Sequence, residues 1–533
     1  MIRDTLLDFF ADFAARPNEF LVYDDGYRNR SYRYKDIALE ARLFAARLRL
    51  AGIGKGEKVV FWSENRPEWI AALWGCLLEG VIAVPVDYRS SIELVRKIHS
   101  VVDARALLIG DEVVAPEDLS VWRLADFERG GEAVTAAGAI ISRNDISRDD
   151  VAEILFTSGT TAEPKGVVIT HRNILANIVP VEREVRKYRK YAWPFAPIRF
   201  LNLLPLSHMF GQAMATFIPP MLPGVTVFIH GYNPQEIARQ IRKRRISVLV
   251  SVPRILEVMR EYVLQVAPEA GEATADKRHW LARWWRYRRI HRLFGWKFWS
   301  FVVGAAPLNP ELEEFWSRLG FVVIQGYGLT ETAPIVTLNH PFHARRGSVG
   351  KPIAGVEVKI APDGEILVRG ENVTSGYYNS QTALLRDGWF HTGDIGAVDA
   401  EGRLSVRGRK KEMIVTPEGL NVFPEDVERV LDQQPGVRES AVIGQDRVHA
   451  VLVLETGAIA DDIVRRANSV LEEHQKIRDV SVWPGEALPR TEATGKLKRR
   501  EVQEWVASGA GGTNAATRDD LEAIIARFAQ KRT

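Results

Sequence analysis

The sequence predicts an α/β protein of several domains, and three observations carry that expectation. Helical stretches alternate with short apolar strands over residues 30–400, as in Lys58-Val59-Val60-Phe61 and residues 246–252. Residues 345–408 change character. Short strands at 356–360, 365–368 and 404–406 are separated by turns at Pro362-Asp363-Gly364 and Glu401-Gly402, the pattern of a small β-rich subdomain. After a basic run at 407–411, a further α+β segment extends from Pro424 to about Ala507. A length of 533 residues suits roughly two to four domains.

The bulk composition narrows the function. Hydrophobic residues make up 46% and charged residues 26%, an ordinary globular balance. Lys and Arg number 71 against 68 Asp and Glu, a formal charge of +3, so the dominant basic face of a nucleic-acid binder is missing and nucleic acid is not an expected partner. A single cysteine, Cys76, has no mate for an intramolecular disulfide, which fits a reducing compartment and a plain buried thiol. The first eighteen residues mix acids with apolar residues and show no basic leader, against a signal peptide. Residues 69–86 are interrupted by Glu79-Gly80 and end in Val84-Pro85-Val86. A helix of about 11 residues and then a strand is expected there, not a span of about 20. The expected location is cytoplasmic.

The most informative passage is Phe156-Thr157-Ser158-Gly159-Thr160-Thr161-Ala162-Glu163-Pro164-Lys165-Gly166. Glycine lets backbone amides wrap an anion, hydroxyls donate to its oxygens, and lysine adds a mobile cation, a composition suited to polyphosphate. Residues 152–156 and Val167-Val168-Ile169 read as strands, and helix signals begin only at Thr170, a candidate N-cap. The loop therefore lies between two strands, unlike a Walker loop, which runs from strand into helix. A solvated Ser/Thr/Gly hairpin would explain the composition but not Pro164-Lys165-Gly166.

This passage resembles the phosphate loop of the adenylate-forming (AMP-binding) superfamily, which comprises acyl- and aryl-CoA synthetases, peptide-synthetase adenylation domains and firefly luciferase. Further matching motifs follow in the family's order over residues 30–505. The resemblance implies a large N-terminal domain, residues 1–408, of two α/β subdomains plus a small β-barrel-like subdomain at 345–408. It also implies a small mobile α+β C-terminal domain at 409–506. Residues 507–533 read as a Gly/Ala/Ser/Thr-rich linker and a last short helix. The cofactors and substrates implied are ATP, magnesium and coenzyme A, with Thr157, Ser158, Gly159, Thr160, Thr161 and Lys165 on the nucleotide.

The motif Gln325-Gly326-Tyr327-Gly328-Leu329-Thr330-Glu331-Thr332 places an aromatic between two glycines and a hydroxyl beside a carboxylate. By resemblance Gln325, Gly326, Tyr327 and Gly328 line the nucleotide, Tyr327 stacking on adenine. Thr330 contacts the α-phosphate and Glu331 holds magnesium, although on chemistry alone Glu331 is equally a surface acid. Gly304-Ala305-Ala306-Pro307 resembles the small-residue wall of the adenine pocket, contributing Gly304, Ala305 and Ala306. Thr392-Gly393-Asp394 taken alone is a turn; within the family pattern Asp394 is the ribose ligand. In Gly408-Arg409-Lys410-Lys411-Glu412 the resemblance assigns Arg409 to ribose or phosphate and Lys411 to the hinge.

Pro489-Arg490-Thr491-Glu492-Ala493-Thr494-Gly495-Lys496-Leu497 reads bottom-up as a polar surface loop, and by resemblance Lys496 is the catalytic lysine. Rotation of the small domain about its hinge would withdraw it and present Thr416-Pro417-Glu418-Gly419-Leu420-Asn421, with Gly419 at the thiol tunnel or simply a turn glycine. The catalytic set implied is Lys496, Thr330, Lys165 and His208.

Substrate class is read from Pro205-Leu206-Ser207-His208-Met209-Phe210-Gly211, which lacks the aspartate that peptide-synthetase domains use for an amino acid's ammonium. His208 is either an ordering residue of the carboxylate channel or a packing histidine. Trp280, Trp284, Tyr287, His291 and Phe294 repeat at helical spacing among Lys277, Arg278, Arg283, Arg286, Arg288, Arg289 and Arg292. Such a helix suits reversible contact with an anionic membrane surface at the inner membrane face, or packs its stripe on the large domain. The basic, aromatic residues 183–199 add to the first reading.

The expected activity is an AMP-forming fatty-acid–CoA ligase, acting on long- or medium-chain fatty acids or another small carboxylic acid. An acyl-AMP ligase loading an acyl carrier protein is the rival enzyme, but no inserted segment stands out between Glu331 and Arg409. A nucleotide-gated membrane-associated protein on a decayed scaffold is disfavoured, since Lys165, Glu331, Asp394, Arg409 and Lys496 are all present.

Overall fold

The computed structural model describes residues 3–126, 145–157, 165–192, 196–271, 285–340, 345–381, 383–417, 420–444, 447–491 and 496–509. The chain divides into two compact units. The first takes Met1–Lys359, Leu367–Thr392 and Val398–Leu404; the second takes Ile360–Ile366, Gly393–Ala397 and Ser405–Thr533.

The first unit is built on two mainly parallel sheets. In the six-stranded one the spatial order is Val121–Arg123, Ala104–Ile109, Lys58–Trp62, Ile82–Val86, Val151–Thr157, Lys165–Thr170. Every pairing is parallel except the last, which is antiparallel. In the nine-stranded sheet the order is Lys351–Pro352, Thr337–Leu338, Val322–Tyr327, Ser300–Val303, Val248–Ser251, Ile198–Asn202, Gly224–Ile229, Glu19–Asp24, Asn29–Arg33. Its central six strands are parallel. Strands such as Ile82–Val86 and Val248–Ser251 are buried along their whole length, as expected where helices cover both faces of a parallel sheet.

Pro67–Glu79 forms the expected helix within the most apolar stretch. Gly80 ends it in the left-handed region at φ 68°, and Ile82–Val86 follows as a strand. Among the described residues no helix is long and apolar enough to cross a membrane. Cys76 on this helix is fully buried and its thiol is pushed up, by burial first and then by the charge of Glu153. His171–Ala192 begins where expected: the Asn173 N–H donates to Thr170 Oγ1 at 3.2 Å.

The β-rich stretch 357–409 supplies a five-stranded sheet of order Glu357–Ile360, Glu365–Arg369, Trp389–Val398, Leu385–Arg386, with Leu404–Arg409 also pairing with Trp389–Val398. Among the described residues this path has free ends, so the sheet is open rather than closed in the barrel-like way expected here. Leu385–Arg386 is two residues long and exposed, too short to carry the ladder round.

The second unit has a core of its own. Its three-stranded sheet pairs Val437–Ile443 antiparallel with His449–Leu454, which pairs parallel with Asp479–Val482; helices Pro424–Asp432, Ala460–Asn468 and Arg499–Ala507 belong to the same unit. Val427, Leu431, Val442, Leu452 and Ile463 form one apolar cluster, and Val451, Leu488, Val502 and Trp505 another.

Of the two readings of the aromatic stripe near residue 290, packing on the large domain holds for its described half. Tyr287, His291 and Phe294 are buried in the core with Phe298, Phe301 and Trp316, so this half of the stripe does not face lipid. Packing gives these rings fuller contact than a bilayer surface would, and His291 Nε2 lies 2.9 Å from the Leu319 carbonyl. Trp280, Trp284, Lys277, Arg278 and Arg283 lie outside the described residues, as does the expected helix near the C-terminus.

Candidate active site

The hydroxyl-rich loop springs from an antiparallel pair in which Thr157 stands opposite Lys165, so a strand-to-strand loop is what the chain builds. Ser158, Gly159, Thr160 and Thr161 lie outside the described residues. Gly166 is held close: a Cβ there would come 2.9 Å from Ile154 Cγ2. A distant segment, 374–378, runs along the strand that leaves the loop. Tyr378 N–H donates to the Gly166 carbonyl at 2.7 Å, Val168 N–H donates to the Gly376 carbonyl at 3.2 Å, and the Thr374 hydroxyl donates to the Val168 carbonyl. Thr374 N–H donates to the Glu331 carbonyl at 2.9 Å, tying the same segment to the second motif.

These bonds bring Lys165 and Glu331 to one residue. Lys165 Nζ lies 5.4 Å from the ring centre of Tyr377, and the Tyr377 hydroxyl donates to Glu331 Oε1 at 3.0 Å. Burial first, then the Glu331 charge, pushes the Tyr377 phenol well above its ordinary value, so it stays a donor. Sequence reasoning missed Tyr377. Only the pairing of 374–378 with the loop's exit strand reveals it.

Glu331 sits in the short turn Thr330–Thr332, which follows the strand Val322–Tyr327. Asn177 clamps this turn, its Nδ2 donating to the Thr332 carbonyl at 3.1 Å while its Oδ1 accepts from Ile335 N–H at 2.7 Å. Thr330, Glu331, Tyr327 and Gly326 are half-buried, and Gln325 is buried. Gly328 tolerates no side chain, because a Cβ there would come 1.7 Å from the Pro334 carbonyl oxygen.

Gly304, Ala305 and Ala306 follow the strand Ser300–Val303. A Cβ on Gly304 would meet the Phe210 ring at 2.8 Å, so this small-residue segment and the 205–211 motif are neighbours. Ala305 is exposed in the left-handed region at φ 68°, a conformation costing a non-glycine residue about 1 kcal/mol. Such strain gathers at functional sites.

His208 Nε2 lies 3.6 Å from Asp87 Oδ2. The carboxylate that the motif itself lacks thus arrives from the end of another strand. Asp87 already pairs with Arg89 at 2.9 Å. Burial alone would raise the Asp87 carboxyl, but His208 and Arg89 outweigh it and hold the group well below the usual carboxylate range. Asn65 braces the same motif, donating from Nδ2 to the Leu204 carbonyl at 2.7 Å and accepting the Leu206 N–H at 2.8 Å.

In the second unit Asp394, Arg409 and Lys496 interact. Arg409 Nε pairs with Asp394 Oδ1 at 2.8 Å, and Asp394 is buried. Lys496 is open to solvent by surface area, yet its ammonium is lowered from the ordinary lysine value. Desolvation by surrounding protein comes first and the Arg409 charge second, against the opposing pull of Glu412, Asp394 and Glu425. Thr491 N–H donates to the Lys496 carbonyl at 2.8 Å and Lys496 N–H to Thr491 Oγ1 at 2.9 Å, which fixes the base of its loop. Lys411 is exposed in the turn after Arg409, where Glu412 and Met413 N–H both donate to the Arg409 carbonyl. Thr416 and Leu420 close the loop that contains Gly419, which itself lies outside the described residues.

Among the described residues no three His, Cys, Asp or Glu side chains come together to cage a metal. One carboxylate, Glu331, with an oxygen left over and Lys165 on the same tyrosine, fits magnesium. That ion takes one or two protein carboxylates and completes its shell with phosphate oxygens and water.

A family model described as AMP-binding enzyme matches residues 9–378. A long-chain-fatty-acid–CoA ligase of Mycobacterium bovis is 30% identical over 89% of this chain and 90% of its own. A feruloyl-CoA synthase of an Amycolatopsis species is 29% identical over 77% of this chain and 80% of its own. Among solved structures, an O-succinylbenzoate coenzyme A synthetase of Bacillus subtilis in complex with AMP shares the fold with a TM-score of 0.75 at 24% identity, covering 94% of this chain and 98% of that one. By the extent of the family match and this identity over nearly the full length, the chain belongs to the AMP-binding enzyme family.

Proposed function

We propose that this protein is an AMP-forming acyl-CoA ligase whose acids are long- or medium-chain fatty acids. A carboxylate oxygen of the acid attacks the α-phosphorus of ATP, the bond to the bridging oxygen breaks, and pyrophosphate leaves from an acyl-adenylate. The thiol of coenzyme A then loses its proton, its sulfur attacks the acyl carbon, and AMP departs with the carbon–oxygen electron pair. The observation that carries this reading is the meeting of Lys165 and Glu331 on Tyr377. A cation at the phosphate loop and a carboxylate suited to magnesium share one support.

Glu331 would hold magnesium, which when bound shares the charge of the departing pyrophosphate. Lys165 supplies a point cation to the same phosphates and Thr330 a hydroxyl to the α-phosphate. Lys496 is assigned the bridging role between carboxylate and α-phosphate, where charge builds on both reactants in the transition state. Tyr327, Asp394 and Arg409 are assigned to adenine and ribose. Lys411 is assigned to the hinge and Gly419 to the passage of the pantetheine arm. Asp87, spoken for by Arg89, leaves His208 to order the carboxylate channel without attracting an ammonium group. The preference for fatty acids is supported by the name of the Mycobacterium bovis relative.

Pyrophosphate release against a panel of fatty, aromatic and short acids, with and without coenzyme A, tests this reading. Release with fatty acids and thioester formation with coenzyme A are expected; aromatic acids as the best substrates, or a carrier protein as sole acceptor, would replace it. Lys496→Ala should lower adenylation by about 10²–10³ while sparing thiolation of a supplied acyl-adenylate. Equal loss of both steps would remove the lysine from its role.

A second reading concerns location. We infer reversible contact with anionic lipid through Trp285, Trp296 and Trp299, which are 66%, 68% and 37% exposed. Arg288 stacks over Trp285 and Lys297 over Trp296, with Arg289 and Arg292 exposed alongside. Exposed indoles interleaved with cations complement an anionic interface.

A further inference from the structure

The strand that enters the hydroxyl-rich loop carries a carboxyl group in its interior. Glu153, in Val151–Thr157, has no exposed surface, and neither has Gln212, at the end of the helix Met209–Gln212 that follows His208. Gln212 Nε2 donates to Glu153 Oε2 at 2.8 Å. The other arm of each side chain, Glu153 Oε1 and Gln212 Oε1, is buried and finds no partner among the described residues. Two orphaned acceptors on two groups already joined through their opposite arms are expensive to bury. One proton resolves both, because a carboxylic acid and a primary amide can exchange hydrogen bonds reciprocally.

We propose that Glu153 is held as a neutral carboxylic acid whose O–H donates to Gln212 Oε1, and that this reciprocal acid–amide pair positions the strand entering the phosphate loop against the helix that follows His208. Among the described residues the neighbouring elements offer no compensating cation. The strand Ile82–Val86 and residues 209–217 carry no titratable side chain. On Pro67–Glu79, Glu68 pairs with Arg66 and the adjacent Glu79 with Arg49, leaving the Cys76 thiol as the group that feels Glu153. On Lys165–Thr170 the one titratable residue, Lys165, pairs with Thr157 at the far end of the ladder, whereas Glu153 pairs with Ile169. Burial accordingly pushes the Glu153 carboxyl up to about 7, with the Gln212 bond opposing. Residues 213–217, directly after Gln212, form a π-helix, a turn type frequent at functional sites. The Gln212 N–H donates to the His208 carbonyl at 2.9 Å, so the helix end and the substrate-side histidine move together.

The sign of the pH dependence follows. Glu153 titrates higher in the folded protein than in the unfolded chain. Its stabilising contribution is complete below about 4.5 and declines as pH rises through about 7. As the group ionises, the O–H bond to Gln212 Oε1 is lost and the Gln212 Nε2 bond alone joins strand and helix, leaving the Gln212 oxygen facing a charge.

The test compares wild type with Glu153→Gln, whose amide preserves a reciprocal pair without a charge. Between about pH 5.5 and about pH 8.5 the melting temperature of the wild type should fall more than that of Glu153→Gln, and a protonated-carboxyl infrared band at low pH should be absent from the variant. These two readouts test the pair independently of activity. The consequence for the loop rests on the reaction proposed above: the KM for ATP should rise about 10-fold in the wild type over that range and less than about 3-fold in the variant. Should Glu153→Gln not fold, Gln212→Glu, which sets two acids face to face, should move the infrared titration of the pair to higher pH. Identical pH profiles for melting and infrared absorption in wild type and variant would overturn the pair. A pair confirmed by both, with an ATP dependence that does not change, would overturn its positioning role alone.

Discussion

Tyr377 shows how a single side chain organises the candidate residues of the first unit. Its hydroxyl holds one oxygen of Glu331 and its ring faces Lys165, so the carboxylate is aimed by a donor that burial and the Glu331 charge keep protonated. Removing that hydroxyl should leave the ring contact and free the carboxylate to rotate. A hydrogen bond to a charged group is worth about 1.5–3 kcal/mol, so Tyr377→Phe should lower kcat/KM for magnesium-ATP by roughly 10- to 100-fold. Isotope-exchange or pyrophosphate assays over a magnesium series would read this, with the loss partly recovered at high magnesium. A loss unchanged by magnesium would show that the tyrosine serves packing only. Local chemistry singles out Lys165 closing a hydroxyl-rich loop, and Gly328 stands where no side chain could replace it, whereas Glu331 alone reads equally as a surface acid and is picked out only by the resemblance. Tyr377, Asp87 and Asn65 were not legible, because each acts on a motif far away along the chain. Glu153 lies in a stretch that reads as an ordinary strand, and its partnership with Gln212 emerges only when their buried oxygens are seen together.

Secondary structure was legible wherever a local rule was strong. The helix within residues 69–86 and its strand, the Thr170 cap, and the strands on either side of the phosphate loop all form as their glycine, proline and hydroxyl signals dictate. The closing of a barrel was not legible, since it depends on how far Leu385–Arg386 extends, and periodicity does not specify strand length. Nor was the facing of the stripe near residue 290. A 3.6-residue period places Tyr287, His291 and Phe294 on one face but does not say whether protein or lipid covers it, and here protein does. The membrane reading therefore passes to side chains just outside that stripe, Trp285, Trp296 and Trp299. Substituting all three by serine should weaken co-sedimentation with vesicles rich in phosphatidylglycerol by at least about 10-fold while leaving the melting temperature in place, because exposed indoles contribute little to the core. Binding that survives the substitution, or that is equal on neutral vesicles, would return this surface to bulk solvent.

At the scale of the whole molecule, the two units keep separate apolar cores. The clusters around Trp74, Trp316 and Val84 lie in the first unit, and those around Val427 and Trp505 in the second. Chains with independent cores depart from all-or-none unfolding, so calorimetry should resolve two transitions. Glu425 offers a means of assigning them. In the second unit Arg499 is ringed by Glu412 at 3.2 Å, Glu425 at 3.6 Å and Glu428, three acids around one cation. Burial first pushes Glu425 up to about 7, and the charges of Glu428 and Glu412 add to that, while Arg499 opposes. Raised above its unfolded value, this group contributes stability that is complete below about 4.5 and lost as pH rises through about 7. His449, in the same unit, is lowered by burial and works in the opposite direction, so the decisive quantity is the difference between wild type and Glu425→Gln. That difference should grow in favour of the variant between about pH 5 and about pH 8, reaching on the order of 5 °C, and only in the transition of the second unit. The other transition should stay in place, since Glu425 belongs to none of the three clusters that melt there. A single transition that moves as a whole would mean that the two cores unfold as one.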